Sequence, residues 1–227
     1  MNLINKNCAT NLVLNYFIKI KVFVFLFFIT IQSIWANNLA QIFNSNPSAQ
    51  DPRLTIRNEK RDTIESANGA IIDGVEAEKI EIKGLLGINK SKVKNLCCND
   101  VIASFKELIV DVANLTGLVD GTDIQVTKSF SIKGKATLIS LKTPYFKMTG
   151  CCNLQESEIK TLDITTNRMV LRDCKVGKIE LKNFSDKDPR VILQDCDIDS
   201  LEFVGRKGEV EKKGTTKIKN LKNASII

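Results

Sequence analysis

One short pattern recurs three times between Leu154 and Phe203, and it constrains the fold more than any other feature of the chain. Each copy contains a leucine, a polar residue, an acid and a small residue, then apolar residues two, five and seven positions after the small one. The copies are Leu154–Ile164, Leu171–Leu181 and Leu193–Phe203. Because successive residues of a strand face opposite ways, this spacing predicts strands with one apolar face.

Partial copies of the unit extend the repetition in both directions, at Val75–Ile82, Ser91–Cys98 and Thr216–Leu221. Strands that recur every 16 to 22 residues indicate coils that stack, each covering the apolar row of the coil before it. The predicted fold class is therefore all-β, a parallel β-solenoid (β-helix) of irregular coils. The glycines expected at its bends are Gly84, Gly87, Gly134, Gly150, Gly177 and Gly205.

Residues 101–116 fit two kinds of secondary structure. Val101, Phe105 and Leu108 lie at helical spacing, with Asp100 as an N-cap and Gly117 as a stop. The density of valine and isoleucine, and the strands predicted on both sides, favour a strand. A single helix packed on the sheet stays open as an alternative.

The N-terminal residues carry the features of a secretory signal. Residues 1–21 contain three lysines and no acid, and Val22–Ile31 is an almost unbroken apolar run. This predicts an N-terminal hydrophobic helix, residues 1–36, that is cleaved after Ala36. The run is shorter than a membrane span, which needs about 20 apolar residues. Cleavage is therefore the favoured prediction, and an uncleaved anchor facing the periplasm is the alternative.

Two further segments follow the leader. Residues 37–70 are polar and predict a linker or an N-terminal cap, in which either Ala40–Phe43 or Leu54–Ile56 covers the first exposed edge of the next domain. The β-solenoid domain is predicted to span residues 71–227. An inserted loop is expected at 184–190, because Pro189 interrupts the strand pattern.

Composition excludes several classes of function. The chain contains no histidine, so it lacks the usual general base and the commonest metal ligand. Removal of the leader reduces the formal excess of basic residues from seven to four, and no aromatic residues interleave with the basic ones, so no nucleic-acid partner is expected. No catalytic, cofactor-binding or metal-binding residue is predicted.

Six cysteines remain once Cys8 is removed with the leader. Cys174 and Cys196 share the small position of the repeat with Ser157, which predicts an interior ladder of small residues. The adjacent pairs Cys97–Cys98 and Cys151–Cys152 must each point one thiol outward, so disulfides between outward members stay open as an alternative. The spacing does not fit a zinc site.

An acidic column is predicted next to this ladder. Glu156, Asp173 and Asp195 share one position of the repeat and should stack along one corner of the coil. The ordinary interpretation is a solvated turn. The alternative is a carbohydrate-active site, in which Asp173 and Asp195 act with Arg172 on a polysaccharide or bind calcium.

The C-terminal residues from Arg206 to Lys222 are basic. Charged side chains at the open end of a solenoid discourage edge-to-edge pairing, which is the simplest explanation. Contact with anionic envelope lipids or glycans is the alternative.

From about Ile71 to Leu221 the chain resembles the β-solenoid adhesin-head and polymer-forming proteins of bacterial envelopes, through the units at 157, 174 and 196 and the leader. This resemblance implies an exported, non-enzymatic module for surface binding or assembly, with an envelope glycan, lipid or protein as partner. A carbohydrate-active β-helix enzyme and a membrane-anchored periplasmic structural protein are the competing hypotheses.

Overall fold

A computed structural model of the chain describes residues 53–166, 168–182 and 189–227, all within the compact unit Pro52–Ile227. The predicted signal helix, the cleavage position at Ala36, the segment Ala40–Phe43 and most of the predicted loop at 184–190 lie outside these ranges. Among the described residues, no helix is long and apolar enough to cross a membrane.

The described residues fold into strands. These strands are β1 (Leu54–Arg57), β2 (Lys60–Ser66), β3 (Ala70–Asp73), β4 (Glu76–Asn89), β5 (Lys92–Gln155), β6 (Glu158–Thr165), β7 (Arg168–Arg172), β8 (Lys175–Lys182), β9 (Arg190–Gln194), β10 (Asp197–Val204), β11 (Gly208–Lys213), β12 (Lys217–Lys222) and β13 (Ala224–Ile226). Strands β4 and β5 are long because they continue through bends and pass around the coil.

All strand pairs are parallel, and strands that are neighbours in space are one coil apart in sequence. One column of strands contains β6, β8, β10 and β12, and a second column contains β7, β9, β11 and β13. Residues at equivalent repeat positions pair directly, as Leu162 does with Ile179 and Ile179 with Leu201. The chain is a parallel β-solenoid of about ten coils, so the predicted fold class is confirmed for the described residues.

The spacing of the sequence unit follows from the shape of a coil. In β6 the side chains of Ile159, Leu162 and Ile164 are buried, whereas Lys160 and Thr161 both face outward. Two consecutive outward residues mark a bend in the strand, so the apolar spacing changes there from two to three. Each coil buries its apolar row against the coils on either side, which is where most of its stability arises.

Residues 101–116 belong to β5, so the helical alternative is wrong. Val101, Ala103 and Phe105 are buried at a spacing of two, and Leu108 follows at a spacing of three. The step of three falls at a corner and imitates helical periodicity. Ile109, which a helix would bury, is 37% exposed.

Glycines form one set of corners. Gly117, Gly134 and Gly150 stack with positive φ, and a Cβ on Gly134 would lie 2.0 Å from the carbonyl oxygen of Gly117 in the coil below. Only glycine permits that approach. Two of the predicted glycines lack positive φ: Gly177 lies at the bend of β8, and Gly87 lies in a straight part of β4 between two buried residues.

The strands begin before Ile71. Strand β1 starts at Leu54 and pairs with β3 through Leu54↔Ala70 and Ile56↔Ile72. Leu54–Ile56 therefore covers the edge of β3, and residues 54–70 contribute strands to the same stack.

Candidate functional site

The acidic residues predicted to form a column occupy one corner of successive coils. Glu156, Asp173 and Asp195 have φ values of 50°, 51° and 53°. The backbone N–H of Glu156 donates to the Arg172 carbonyl at 2.9 Å, and that of Asp173 donates to the Gln194 carbonyl at 2.9 Å. Aspartate and asparagine adopt this left-handed conformation more readily than most residues, so the backbone explains the presence of Asp173 and Asp195.

Asp195 already has partners within the protein. Its Oδ1 accepts hydrogen bonds from the backbone N–H of Thr215 at 2.8 Å and from the Thr215 hydroxyl at 3.1 Å. These bonds hold the pKa of Asp195 below its usual value. Arg172 lies in register with Gln194, and no group of three His, Cys, Asp or Glu side chains in the described ranges is placed to hold a metal ion.

The small residues Ser157, Cys174 and Cys196 lie inside the coil, each about 2% exposed. Each donates a hydrogen bond to the carbonyl two residues earlier, at 2.8 Å for Ser157, 3.0 Å for Cys174 and 3.2 Å for Cys196. Ser91 makes the same bond at 2.7 Å. The position is small and polar because it satisfies a corner carbonyl that lies close to the core.

All six described cysteines are free thiols. In each adjacent pair one thiol faces inward: Cys98 and Cys152 are buried, whereas Cys97 is half-buried and Cys151 is exposed. Burial raises the pKa of Cys98 to about 12 and raises that of Cys152 as well. A hydrogen bond with Cys196 and burial both raise the pKa of Cys174. These buried thiols are protonated and behave as core side chains.

A row of outward side chains on the first column alternates in charge; we call it the charge ladder. Its residues in the C-terminal half are Lys142, Glu158, Lys175, Asp197 and Lys217, which are paired in register from coil to coil. Lys142 and Glu158 approach to 3.4 Å. Lys60, Glu76 and Lys92 repeat the alternation in the N-terminal half. Opposite charges in register favour this stacking over a slipped one.

A shallow groove of about 670 Å³ runs beside the charge ladder. Pro144 and Gly177 line it together with Lys142, Glu158 and Lys175. Four lysines and three acids line it, and most of these charges have an opposite charge in the next coil. The lining therefore carries a small excess of positive charge.

Sequence reasoning missed one cluster of polar side chains. Lys182 Nζ lies 3.0 Å from Asp163 Oδ1, and the Tyr145 hydroxyl donates to Asp163 Oδ2 at 3.4 Å. The hydrogen bond with Asp163 raises the pKa of Lys182, and burial followed by the Asp163 charge raises that of Tyr145. Aligning consecutive repeats could have found the cluster, since its members lie in adjacent coils.

A second surface is apolar. Leu85, Ile102 and Leu118 point outward from the second column and are 40%, 55% and 48% exposed. Leu85 and Ile102 pair directly across neighbouring coils. This gives a short apolar patch on one side of the solenoid.

The last coil is covered on one side only. Strand β12 pairs with β10, and β13 pairs with β11, so both lie at the ends of the sheet order formed by the described strands. Ile218 and Leu221, which occupy core positions of the repeat, are only half-buried, and Ile226 is 56% exposed. Within the described ranges no strand lies over β12 or β13 on that side, which leaves the apolar side chains of this coil open to contact there.

No family model, no curated protein and no solved structure matches this chain. What the protein does must be inferred from its own surfaces. The C-terminal coil, the groove and the apolar patch are the candidates.

Proposed function

We propose that the protein is an exported, non-enzymatic β-solenoid module of the cell envelope that binds its partner through the C-terminal end of its coil stack. The observation that carries this proposal is the half-buried core of the last coil. The resemblance to envelope solenoids and the signal-like leader support the location.

Comparison along a single repeat position shows how unusual the end is. Leu162, Ile179 and Leu201 follow one another in register and are each 0% exposed, whereas the next residue in that row, Leu221, is only half-buried. A strand placed on β12 would complete the burial of Leu221 and Ile218. Fully burying an exposed side chain of this kind is worth roughly 1.5–3 kcal/mol, and these two side chains are already half-buried, so a covering strand gains about half of that for each, as well as main-chain hydrogen bonds.

The sides of the solenoid offer less to a partner. Most charges along the groove are already opposed by charges in register, and a new partner would have to compete with them. The patch formed by Leu85, Ile102 and Leu118 has all of its backbone within the sheet and offers side-chain contact alone.

The competing enzyme hypothesis makes a distinct prediction. Replacing both Asp173 and Asp195 by asparagine should leave folding and partner binding nearly unchanged, because Asn also tolerates the left-handed corner conformation. A glycan-degrading activity that the wild-type chain has and the double variant lacks would contradict the non-enzymatic proposal.

Site-specific photo-crosslinking in cells tests where the partner binds. A photoreactive residue at Ile226, on the exposed end, is compared with one at Glu158, on the side of the stack. We expect one defined adduct from position 226 and none from position 158. Adducts from position 158 alone would place the binding surface on the side.

Cell fractionation and the mass of the mature N-terminus test the location. Cleavage after Ala36 with the protein in an envelope or extracellular fraction is the expected result. An intact leader in the membrane fraction would favour the anchored alternative, and an intact leader in the cytoplasm would contradict export.

A further inference from the structure

The open strand β12 has a close counterpart in the interior of the same molecule. Lys217–Lys222 reads Lys-Ile-Lys-Asn-Leu-Lys, and Lys92–Cys97 at the start of β5 reads Lys-Val-Lys-Asn-Leu-Cys. Each lies on an acidic strand, Asp197–Glu202 for the first and Glu76–Glu81 for the second. The interior copy therefore shows how such a lysine strand is accommodated on both of its sides.

The two copies make the same contacts with the coil before them. Lys219 Nζ lies 2.6 Å from an oxygen of Asp199, and Asn220 Nδ2 donates to the Asp199 carbonyl at 3.3 Å. In the interior, Lys94 Nζ lies 2.7 Å from an oxygen of Glu78, and Asn95 Nδ2 donates to the Glu78 carbonyl at 3.4 Å. The Lys-x-Lys-Asn-Leu segment is thus a repeated unit for stacking on an acidic strand.

The copies differ in what lies on their other side. In the interior the next coil continues the sheet, because Ile109 N–H donates to the Ser91 carbonyl at 3.0 Å. That coil brings Asp111 to the same groove as Lys94 and Glu78, so the lysine lies between two acids. Lys94 also contributes, after Thr127 and Lys128, to lowering the pKa of Asp111.

At the C-terminal end that second acidic neighbour has no counterpart among the described residues. Lys217, Lys219 and Lys222 lie along the open edge, each in line with one acid of β10. Two β12 edges brought together would oppose lysine with lysine, which disfavours a second copy at this edge.

We infer that the open edge of β12 receives an acidic strand of a partner protein by parallel strand addition. This inference rests on the proposed function and specifies the partner's chemistry. The incoming strand carries acids over Lys217, Lys219 and Lys222 and apolar side chains over Ile218 and Leu221. The pattern is acid, apolar, acid, any residue, apolar, acid, as in Asp197–Glu202.

A labelled synthetic peptide with the sequence of Asp197–Val204 is the probe, titrated into the full mature chain. Two control peptides replace the three acids by their amides or by lysines. We expect the acidic peptide to bind most tightly, to protect the backbone amides of β12 from hydrogen exchange, and to outcompete the lysine peptide by roughly tenfold or more, because three cross-strand charge pairs change sign.

A charge-reversed protein provides the reciprocal test. The variant Lys217→Glu, Lys219→Glu, Lys222→Glu should bind the lysine peptide better than the acidic one. A matched variant with the same charge change on the sides of the stack, Lys133→Glu, Lys135→Glu, Lys147→Glu, should keep the wild-type preference. If reversal unfolds β12, the peptide series with the wild-type chain and the Lys→Gln triple variant decides the question.

Different failures have different meanings. Equal binding of the acidic and amide peptides would overturn the acidic partner and leave end binding intact. Absence of β12 protection by every peptide would overturn strand addition together with the proposed function. Acidic-peptide binding that survives N-methylation of the peptide backbone would show charge attraction alone and would overturn strand addition.

Discussion

Gly134 lies where two coils approach each other too closely for any side chain. It has a φ of 141°, and a Cβ built on it would lie 2.0 Å from the carbonyl oxygen of Gly117. Gly205 also has a positive φ, 93°, but a Cβ there meets nothing within 4 Å. Comparing alanine variants at these two glycines separates the energetic cost of the backbone conformation from the cost of the contact between coils.

The expected magnitudes follow from these distances. Alanine at Gly205 pays only for the unfavourable backbone conformation, about 1–3 kcal/mol. Alanine at Gly134 adds a contact that must lengthen by more than 1 Å in a stack with a coil spacing of about 4.8 Å, which weakens neighbouring hydrogen bonds worth about 0.5–1.5 kcal/mol each. We expect Gly134→Ala to lower the free energy of unfolding by about 3–5 kcal/mol.

Urea unfolding followed by circular dichroism measures both variants against the wild type. The prediction is that Gly134→Ala is less stable than Gly205→Ala by about 2 kcal/mol, or about 4–8 °C in Tm for a domain of this size. Equal losses of stability would show that the coils do not approach closely at Gly134, and would refute the stacked-glycine corner.

Three further predictions concern the core, the thiols and the acidic corner. Leu201→Ala should lower the free energy of unfolding by about 2–5 kcal/mol. Leu221→Ala should lower it by less than half as much, because Leu221 is only half-buried. Equal losses for the two variants in urea unfolding would contradict an open end. A maleimide reagent at pH 8 should modify Cys151 first and the buried thiols only after unfolding, as mass spectrometry would show; rapid labelling of Cys152 would contradict the burial pattern. Because the pKa of Asp195 is lower in the folded chain, its carboxylate stabilises the fold at pH values above the unfolded pKa of about 3.9. That contribution is lost as pH falls through the folded pKa. Asp195→Asn should therefore make the loss of stability at acid pH less steep, and an unchanged dependence of stability on pH would argue against the Thr215 bonds.

Much of the coil could be predicted from the sequence because its constraints are local. The apolar residues at plus two, five and seven after Ser157 reflect two outward residues at a bend, and that geometry repeats in the coils of β6, β8 and β10. The same bend explains why residues 101–116 imitate a helix. A corner shifts apolar spacing from two to three, and a period of three is close to that of a helix.

Other features depend on contacts between coils and could not be predicted from one unit. The sequence predicts Gly117 as a helix stop, yet it is a corner at which a Cβ would lie 2.0 Å from the Val101 carbonyl oxygen. Gly177 lies at the bend of β8, as predicted, but without positive φ, and a Cβ there would come 2.6 Å from the Lys160 carbonyl oxygen. Both residues are glycines because the backbone of another coil is close, and that neighbour lies 16 or 17 residues earlier in the chain.

The acidic column shows the difference between a shared position and a shared role. Asp173 and Asp195 do stack, as the repeat alignment indicates, but at a corner whose backbone conformation favours aspartate. The lysines of β12 were interpreted as a means of keeping the edge free. Their interior counterpart at Lys92–Cys97 lies between the acidic strand Glu76–Glu81 and a strand that brings one acid, Asp111, beside Lys94, which sequence spacing alone does not reveal.

The most direct test of the account is a set of distances along the stack, measured by double electron–electron resonance between spin labels at positions 76, 142 and 217. Each coil has one positive-φ corner just before its first-column strand. These corners are Lys90, Glu107, Asp123 and Ser140 between positions 76 and 142, and Glu156, Asp173, Asp195 and Gly214 between positions 142 and 217, so four coils separate each neighbouring pair. With a coil spacing of about 4.8 Å, both shorter distances should be about 19 Å and the distance from 76 to 217 about 38 Å. Additive distances are the predicted result; a distance from 76 to 217 no longer than the other two would contradict the stack.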